Sequence, residues 1–326
     1  MIKRVATAVV LIPIVLLIVF REPLWLFAAV AGLVALIATR EYLGLADVYG
    51  IKPAKLLTYF FTLLLFASLV AAFAAEAALN RLPSSVLLRG ILPKEHPHIL
   101  QALSAASLGR DSLLLAALLF LVAMMGREDL RSTLPGAAAS ALALVYISLP
   151  FVLLINVRAR AAGAFHVFYM LVVVWVGDIL AFLVGRSLGK HKLAPRLSPN
   201  KSWEGTIASL VGATALGTFI LLRGDAIVGF LRNTDLLPAQ AGSILSVGPY
   251  PASHPLWVYI LLSVALNVAA QFGDLVESML KRGAAVKDTG SLLPGHGGML
   301  DRVDALLFAA PVLWYYAQIV ATISPR

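Results

Sequence analysis

Apolar residues occupy the chain in long runs, near 5–20, 24–39, 56–79, 113–126, 136–157, 164–185, 206–222, 256–276 and 303–323. A helix rises about 1.5 Å per residue and needs ~20 residues to cross ~30 Å of hydrocarbon. Each run is therefore expected as one membrane-spanning helix, nine in all, give or take one. The fourth run is short and either extends or is re-entrant. The fold class that follows is all-α, a polytopic bundle of transmembrane helices. Two stretches, 80–112 and 233–254, are rich in Pro, Ser and polar residues and are expected outside the membrane. Neither is long enough for a separate domain, and no internal repeat is visible. The run at 5–20 behind MIKR has the outline of a signal peptide. It ends in Arg21-Glu22-Pro23 with no small-residue cleavage site, and is expected to remain a span.

Polar positions break this pattern in three places. In the eighth run, Asn267, Gln271, Asp274, Ser278 and Lys281 are spaced by four, three, four and three, which puts all five on one helical face. A carboxylate at mid-helix in lipid costs roughly 2.5–3.5 kcal/mol, so Asp274 is expected to face protein, water or a cation. A stripe of interhelical hydrogen bonds is the alternative. Glu277 flanks the stripe and could equally sit among headgroups. The ninth run opens Asp301-Arg302-Val303-Asp304, two acids on one face at a helix start. Ordinary capping is the alternative, with Asp301 as N-cap and Asp304 favoured by the helix dipole. Beside Asp274 at the same membrane surface, capping explains too little. Three crowded carboxylates repel one another, a divalent cation relieves that repulsion, and oxygen-only ligands favour Mg²⁺.

Between these helices lies GHGG, residues 295–298, behind Pro294. Its glycines allow positive φ and close approach of backbone N–H groups to an anion. A Gly-rich turn alone is more often just a loop. Bracketed by Lys281, Arg282, Lys287 and Arg302 and facing three acids, it reads as a phosphate-plus-metal site. His296 there suits a phosphate contact, acid–base work or a loop-structuring role. The third break follows the sixth run, which holds Asp178. GRSLGKHKLAPRLSPNKSWEG, residues 185–205, carries Arg186, Lys190, Lys192, Arg196 and Lys201, able to neutralise a polyphosphate or an anionic lipid headgroup. Topology-setting loop charge is the alternative. The embedded glycines, a Ser-Pro-Asn turn and an interfacial Trp203 favour binding. His96 and His98 have metal-like spacing but lie on the other side, without a carboxylate cluster, and read as loop residues.

Composition narrows the class further. The chain is 60% hydrophobic and 13% charged, with a mean hydropathy of +0.89, outside the range of soluble domains. A net charge of +9 could suit nucleic acid, but in a membrane protein it reads as loop Lys and Arg, and no nucleic acid is expected. The absence of cysteine excludes disulfides, thiolate nucleophiles and Cys-bound zinc. With nine spans, sixteen Lys and Arg fall on one side and ten on the other. The richer side is expected to be cytoplasmic, with the N-terminus and both segments 186–205 and 281–302 on it.

SMLKRGAAVKDTGSLLPGHGGMLDRVD, residues 278–304, closely resembles the signature of phosphatidate cytidylyltransferases, the CDP-diacylglycerol synthases. The resemblance rests on Ser278, Lys281-Arg282, Lys287-Asp288, Gly290, Pro294, His296-Gly297-Gly298 and Asp301-Arg302-x-Asp304. Residues 185–205 look like the family's second block. The resemblance is strong over about 164–326, with only a faint echo upstream in Glu41-Tyr42 and Gly50-x-x-Pro53. Asn200 stands where the family often has Lys, and Phe182 where Tyr is common, which puts secondary nucleotide contacts in doubt.

The resemblance implies transfer of CMP from CTP to phosphatidic acid, giving CDP-diacylglycerol and pyrophosphate. It implies a catalytic group of Asp274, Lys281, Arg282, Lys287, Asp288, His296, Asp301, Arg302 and Asp304. Asp274, Asp301 and Asp304 would bind Mg²⁺, with a second cation in a two-cation centre. Asp178, Arg186, Lys190, Lys192, Ser198, Lys201, Trp203, Glu204, Ser278, Gly297 and Gly298 would bind substrate. It further implies a homodimer among the lipids of a bacterial cytoplasmic membrane. Residues 161–326 would form the catalytic region, with 1–160 as generic N-terminal helices. Two rivals remain open. One is a CTP-dependent lipid or polyprenol kinase. The other is a secondary transporter of an anionic substrate, although the matched repeats usual in transporters are missing.

Overall fold

The computed structural model describes residues 2–79, 105–160, 163–224, 226–227, 255–290 and 297–323. Its helices are α1 (Ile2–Phe20), α2 (Leu24–Val48), α3 (Lys55–Leu79), α4 (Ala105–Met124), α5 (Thr133–Ala143), α6 (Leu149–Arg158), α7 (Gly163–Leu188), α8 (Trp203–Leu222), α9 (Leu256–Gly283) and α10 (Leu300–Ile323). A π turn, Leu144–Ser148, carries α5 into α6 without a break, so Leu130–Arg158 counts as one span. Among the described residues six stretches are long and apolar enough to cross a membrane: α2, Lys55–Ala74 of α3, Leu130–Arg158, α7, α8 and α9. The all-α integral membrane architecture stands, and the described residues do not confirm the expected count of nine. Leu11–Phe20 and Leu113–Met124 are apolar but shorter, and α10 opens with three charged residues.

Two local expectations change. Residues 105–112 of the supposed extramembrane stretch 80–112 form the first turns of α4, while 80–104, with His96 and His98, and 233–254 lie outside the described residues. The 186–205 segment contains a two-stranded antiparallel ribbon, β1 (Lys192–Ala194) and β2 (Ser198–Ser202), with Lys192 opposite Ser202. Ser198-Pro199-Asn200 is therefore strand, not turn. The turn is one step earlier, closed by Leu197 N–H donating to Ala194 O (3.1 Å), with Pro195 fixing φ at its second position. Pro199 is tolerated because a two-stranded ribbon has only edge strands.

The chain divides into two compact units, one of residues 23–155 and one of 1–22 with 156–326. In the first, Phe61, Ala116, Phe120, Met124, Ala137 and Leu144 form a buried cluster, with Phe61 and Phe120 edge to face at 5.9 Å. In the second, Arg158 Nε donates to Val19 O (2.6 Å) at the end of α1, tying that helix to this unit. Small residues set the spacing of its main helices. A Cβ on Gly205 would lie 2.6 Å from Ala181 O and 3.0 Å from Gly185 Cα, so α7 and α8 meet backbone to backbone. A Cβ on Gly273 would lie 2.4 Å from Asp304 O, which brings α9 equally close to α10. These contacts gather the C-terminal ends of α7 and α9 with the N-terminal ends of α8 and α10.

Candidate active site

The polar stripe on α9 divides into two parts. Asn267, 1% exposed, donates from Nδ2 to Ser209 Oγ on α8 (3.0 Å) and accepts from Gln271 Nε2 (2.6 Å). That end is an interhelical hydrogen-bond ladder, the alternative weighed for the whole stripe. Below it the groups are ionic. Asp274 Oδ2 is paired with Lys201 Nζ at 2.6 Å, its Oδ1 is 3.4 Å from Ser278 Oγ, and Lys281 reaches both Glu277 and Asp301.

The Lys201–Asp274 pair joins two segments seventy-odd residues apart in sequence. A second tie runs beside it, Arg282 Nε donating to Leu197 O (3.2 Å) at the tip of the ribbon. Local structure holds the ribbon in place. Trp203 N–H donates to His191 O (2.9 Å), Glu204 Oε1 meets His191 Nδ1 at 2.7 Å, and Ser202 Oγ caps α8 by accepting from Gly205 N–H (3.2 Å). Glu204 and Trp203 thus serve the ribbon here, with Trp203 exposed. A cleft of about 350 Å³, open mouth included, lies between α7, α8 and α9. Asp178, Lys201, Ser202, Thr206, Gln271 and Asp274 line it.

Two acidic groupings emerge where sequence alone suggested one. One oxygen from each of Asp274, Glu277 and Asp304 lies within 4.8 Å of the other two, a spacing that suits a hard cation. Glu277 is 1% exposed, and its Oε1 is buried with no hydrogen-bond partner. Such an oxygen in a nearly dry site is costly unless something satisfies it. Asp304 is 9% exposed and accepts Ala305 N–H at Oδ1 (2.8 Å). Asp301 is differently engaged. Its Oδ2 accepts Thr289 N–H (2.9 Å), Thr289 Oγ1–H (2.9 Å) and Gly298 N–H (2.7 Å), and its Oδ1 accepts Lys281 Nζ (2.6 Å). It is not the N-cap, since α10 begins at Leu300. It reaches back and holds both described ends of the 284–299 loop.

The loop begins with a Schellman closure of α9, Val286 N–H to Lys281 O (2.9 Å) and Ala285 N–H to Arg282 O (3.0 Å). Ala285 sits there at φ 55, where glycine is usual. At the far end Gly297 has φ +77, and a Cβ on it would lie 2.7 Å from Asp301 Oδ2, so both backbone and space require glycine. Pro294 and His296 lie outside the described residues. Arg186, Lys190, Lys192, Arg282, Lys287, Asp288 and Arg302 are exposed, while Ser198 is half-buried. Sequence reasoning passed over Glu277 as a flanking residue. Its position three after Asp274 and four before Lys281 was the available signal, since all three share one side of a helix.

A profile of the cytidylyltransferase family matches residues 2–320. A phosphatidate cytidylyltransferase of Bacillus subtilis (strain 168) is 40% identical over 176 residues, 53% of this chain and 55% of that one. One from Haemophilus influenzae is 39% identical over 155 residues, 47% and 46% of the two chains, and one from Brucella abortus is 41% identical over 159 residues, 49% of each. The chain thus spans about half the length of the curated relatives it matches.

Proposed function

This chain belongs to the cytidylyltransferase family, and from that premise we propose that it transfers CMP from CTP to phosphatidic acid, giving CDP-diacylglycerol and pyrophosphate. The observation that carries the reading is the Lys201–Asp274 pair at 2.6 Å. It makes one site of the basic 186–205 segment and the acidic 274–304 segment, the combination a reaction between two anions requires. A phosphatidate oxygen is already ionised near neutral pH, so no serine, cysteine or base must activate it. The new bond is phosphate oxygen to α-phosphorus, and the bond that breaks joins the α-phosphorus to the bridging oxygen of pyrophosphate.

The residues fit a magnesium ion. Asp274, Glu277 and Asp304 offer only hard oxygen donors, and one buried Glu277 oxygen lacks a partner. Asp274 and Asp304 would hold the ion, with Glu277 beside them. Asp301 offers Oδ1 to a second cation only where Lys281 moves aside. When bound, the metal supplies charge neutralisation at the triphosphate. The chain's own residues do the remainder. Arg282, Lys287 and Arg302 would hold phosphates, and Lys201 on the cleft wall would meet the lipid phosphate or CTP. Trp203 at the exposed rim suits the interface. The lipid substrate, the family and the bacterial relatives support a bacterial cytoplasmic membrane location with the site on the cytoplasmic side, and a homodimer belongs to the same reading.

The test is purified protein in phospholipid vesicles with CTP. Pyrophosphate release should require phosphatidic acid, stop on chelation and return with Mg²⁺. Asp274→Asn and Asp304→Asn should each lose at least roughly a hundredfold, the scale for removing a key electrostatic group. Near-normal turnover in both variants would contradict the reading.

A further inference from the structure

Glu277, Lys281 and Asp301 form a buried chain of ion pairs from α9 to α10. Glu277 Oε2 pairs with Lys281 Nζ, and Lys281 Nζ pairs with Asp301 Oδ1 at 2.6 Å. The side chains of these three residues are 1%, 13% and 4% exposed, so Lys281 is too enclosed to act as a freely presented phosphate ligand. At one end of the chain, Glu277 belongs to the carboxylate trio with Asp274 and Asp304, and its Oε1 has no partner. At the other end, Asp301 Oδ2 holds Thr289 and Gly298.

We propose that Glu277 is a positioning residue that couples cation occupancy of the carboxylate trio to the hold of Asp301 on Thr289 and Gly298, acting through Lys281. This rests on the reading of the trio as a cation site. Glu277 has two oxygens with separate duties. One holds Lys281, and the other is left for the cation. While it is unsatisfied, burial of that oxygen penalises this chain of contacts, and local opening to water relieves the penalty. A cation satisfies it, fixes the carboxylate, and removes that reason to open. Lys281 is then held against Asp301, and Asp301 holds Thr289 and Gly298. The exposed Lys287 and Asp288 precede Thr289 directly, so their placement depends on the same chain. The cation thereby prepares the phosphate-holding loop as well as neutralising charge.

The Thr289 and Gly298 amides report the coupling directly, because both donate to Asp301. In detergent-solubilised full-length protein, without nucleotide or lipid, their hydrogen exchange should slow about tenfold on adding Mg²⁺, the scale expected when one buried unsatisfied polar group gains a partner. In Glu277→Gln, which keeps the shape but removes the charge and leaves one acceptor oxygen for two duties, both amides should exchange faster and respond to Mg²⁺ less than about twofold. Glu277→Asp keeps the charge but is one methylene too short to serve both ends, and should behave likewise. Mn²⁺ binding, followed by its paramagnetic signal, separates the two claims. Wild-type protein that binds Mn²⁺ but shows no cation-dependent protection at 289 and 298 overturns the coupling and leaves the metal site standing. Wild-type protein that binds no divalent cation overturns both. If Glu277→Gln fails to fold, the wild-type exchange measurement with and without Mg²⁺ still decides the matter.

Discussion

Replacing Gly297 by alanine should disable the site while leaving the helix bundle intact. Its φ of +77 costs an L-residue about 1–2 kcal/mol. The added Cβ would also arrive 2.7 Å from Asp301 Oδ2, the oxygen that accepts Thr289 N–H, Thr289 Oγ1–H and Gly298 N–H at 2.7–2.9 Å. The carboxylate must move, and hydrogen bonds to a charged acceptor contribute about 1.5–3 kcal/mol each. Losing one of them in addition to the backbone strain gives about 2.5–5 kcal/mol against these contacts. At about 1.4 kcal/mol per tenfold, even two-thirds of the lower figure costs more than tenfold, and the full range implies roughly a hundredfold or more in kcat/KM for CTP. The penalty falls on a loop outside the spans, so thermal unfolding in detergent should move little. The assay pairs turnover with exchange at the Thr289 amide. Activity within about threefold of wild type, with that amide still protected, would refute the reasoning.

Asn267→Ala should weaken the bundle by about 1 kcal/mol, read by denaturant titration in mixed micelles, because it removes a partner of both Ser209 and Gln271, and it should change KM for CTP no more than severalfold. Loss of CTP affinity with unchanged stability would instead place that part of the stripe in the active site. Ala285→Gly should stabilise the protein by about 0.5–1 kcal/mol in the same titration, since an alanine stands at the left-handed position closing α9. A destabilised variant would contradict that closure. Single cysteines at positions 196 and 290, clean probes in a chain without cysteine, should label from the same side of sealed vesicles. Labelling from opposite sides would separate the two segments.

Some helix starts could be read from hydropathy almost to the residue, as with 164 against Gly163 and 256 against Leu256. The excess length of the helices could not. The second run stops at Arg40-Glu41 while its helix continues to Val48, because charge ends a hydrophobic run but does not end a helix. The candidate site could be picked out because charges stand at i, i+3 and i+4 spacings at the end of α9 and the start of α10. The partition of those charges could not. Asp301 and Asp304 are equivalent by spacing, yet one faces loop N–H groups and the other faces Asp274. That difference depends on the path of the loop and on the close approach at Gly273, and neither has a period in sequence. Glu277 was missed because a carboxylate near a membrane surface usually finds water, and only packing shows that this one is buried.

The central claim is the direction of attack on CTP. A kinase would direct the lipid at the γ-phosphorus and release CDP, whereas a cytidylyltransferase directs it at the α-phosphorus and releases pyrophosphate. Purified protein should be given phosphatidic acid vesicles and CTP labelled at one phosphorus or the other, and the products separated into lipid and water. The account predicts α-label in the lipid fraction and γ-label in soluble pyrophosphate. Label from the γ-phosphorus in lipid, with none from the α-phosphorus, would contradict it.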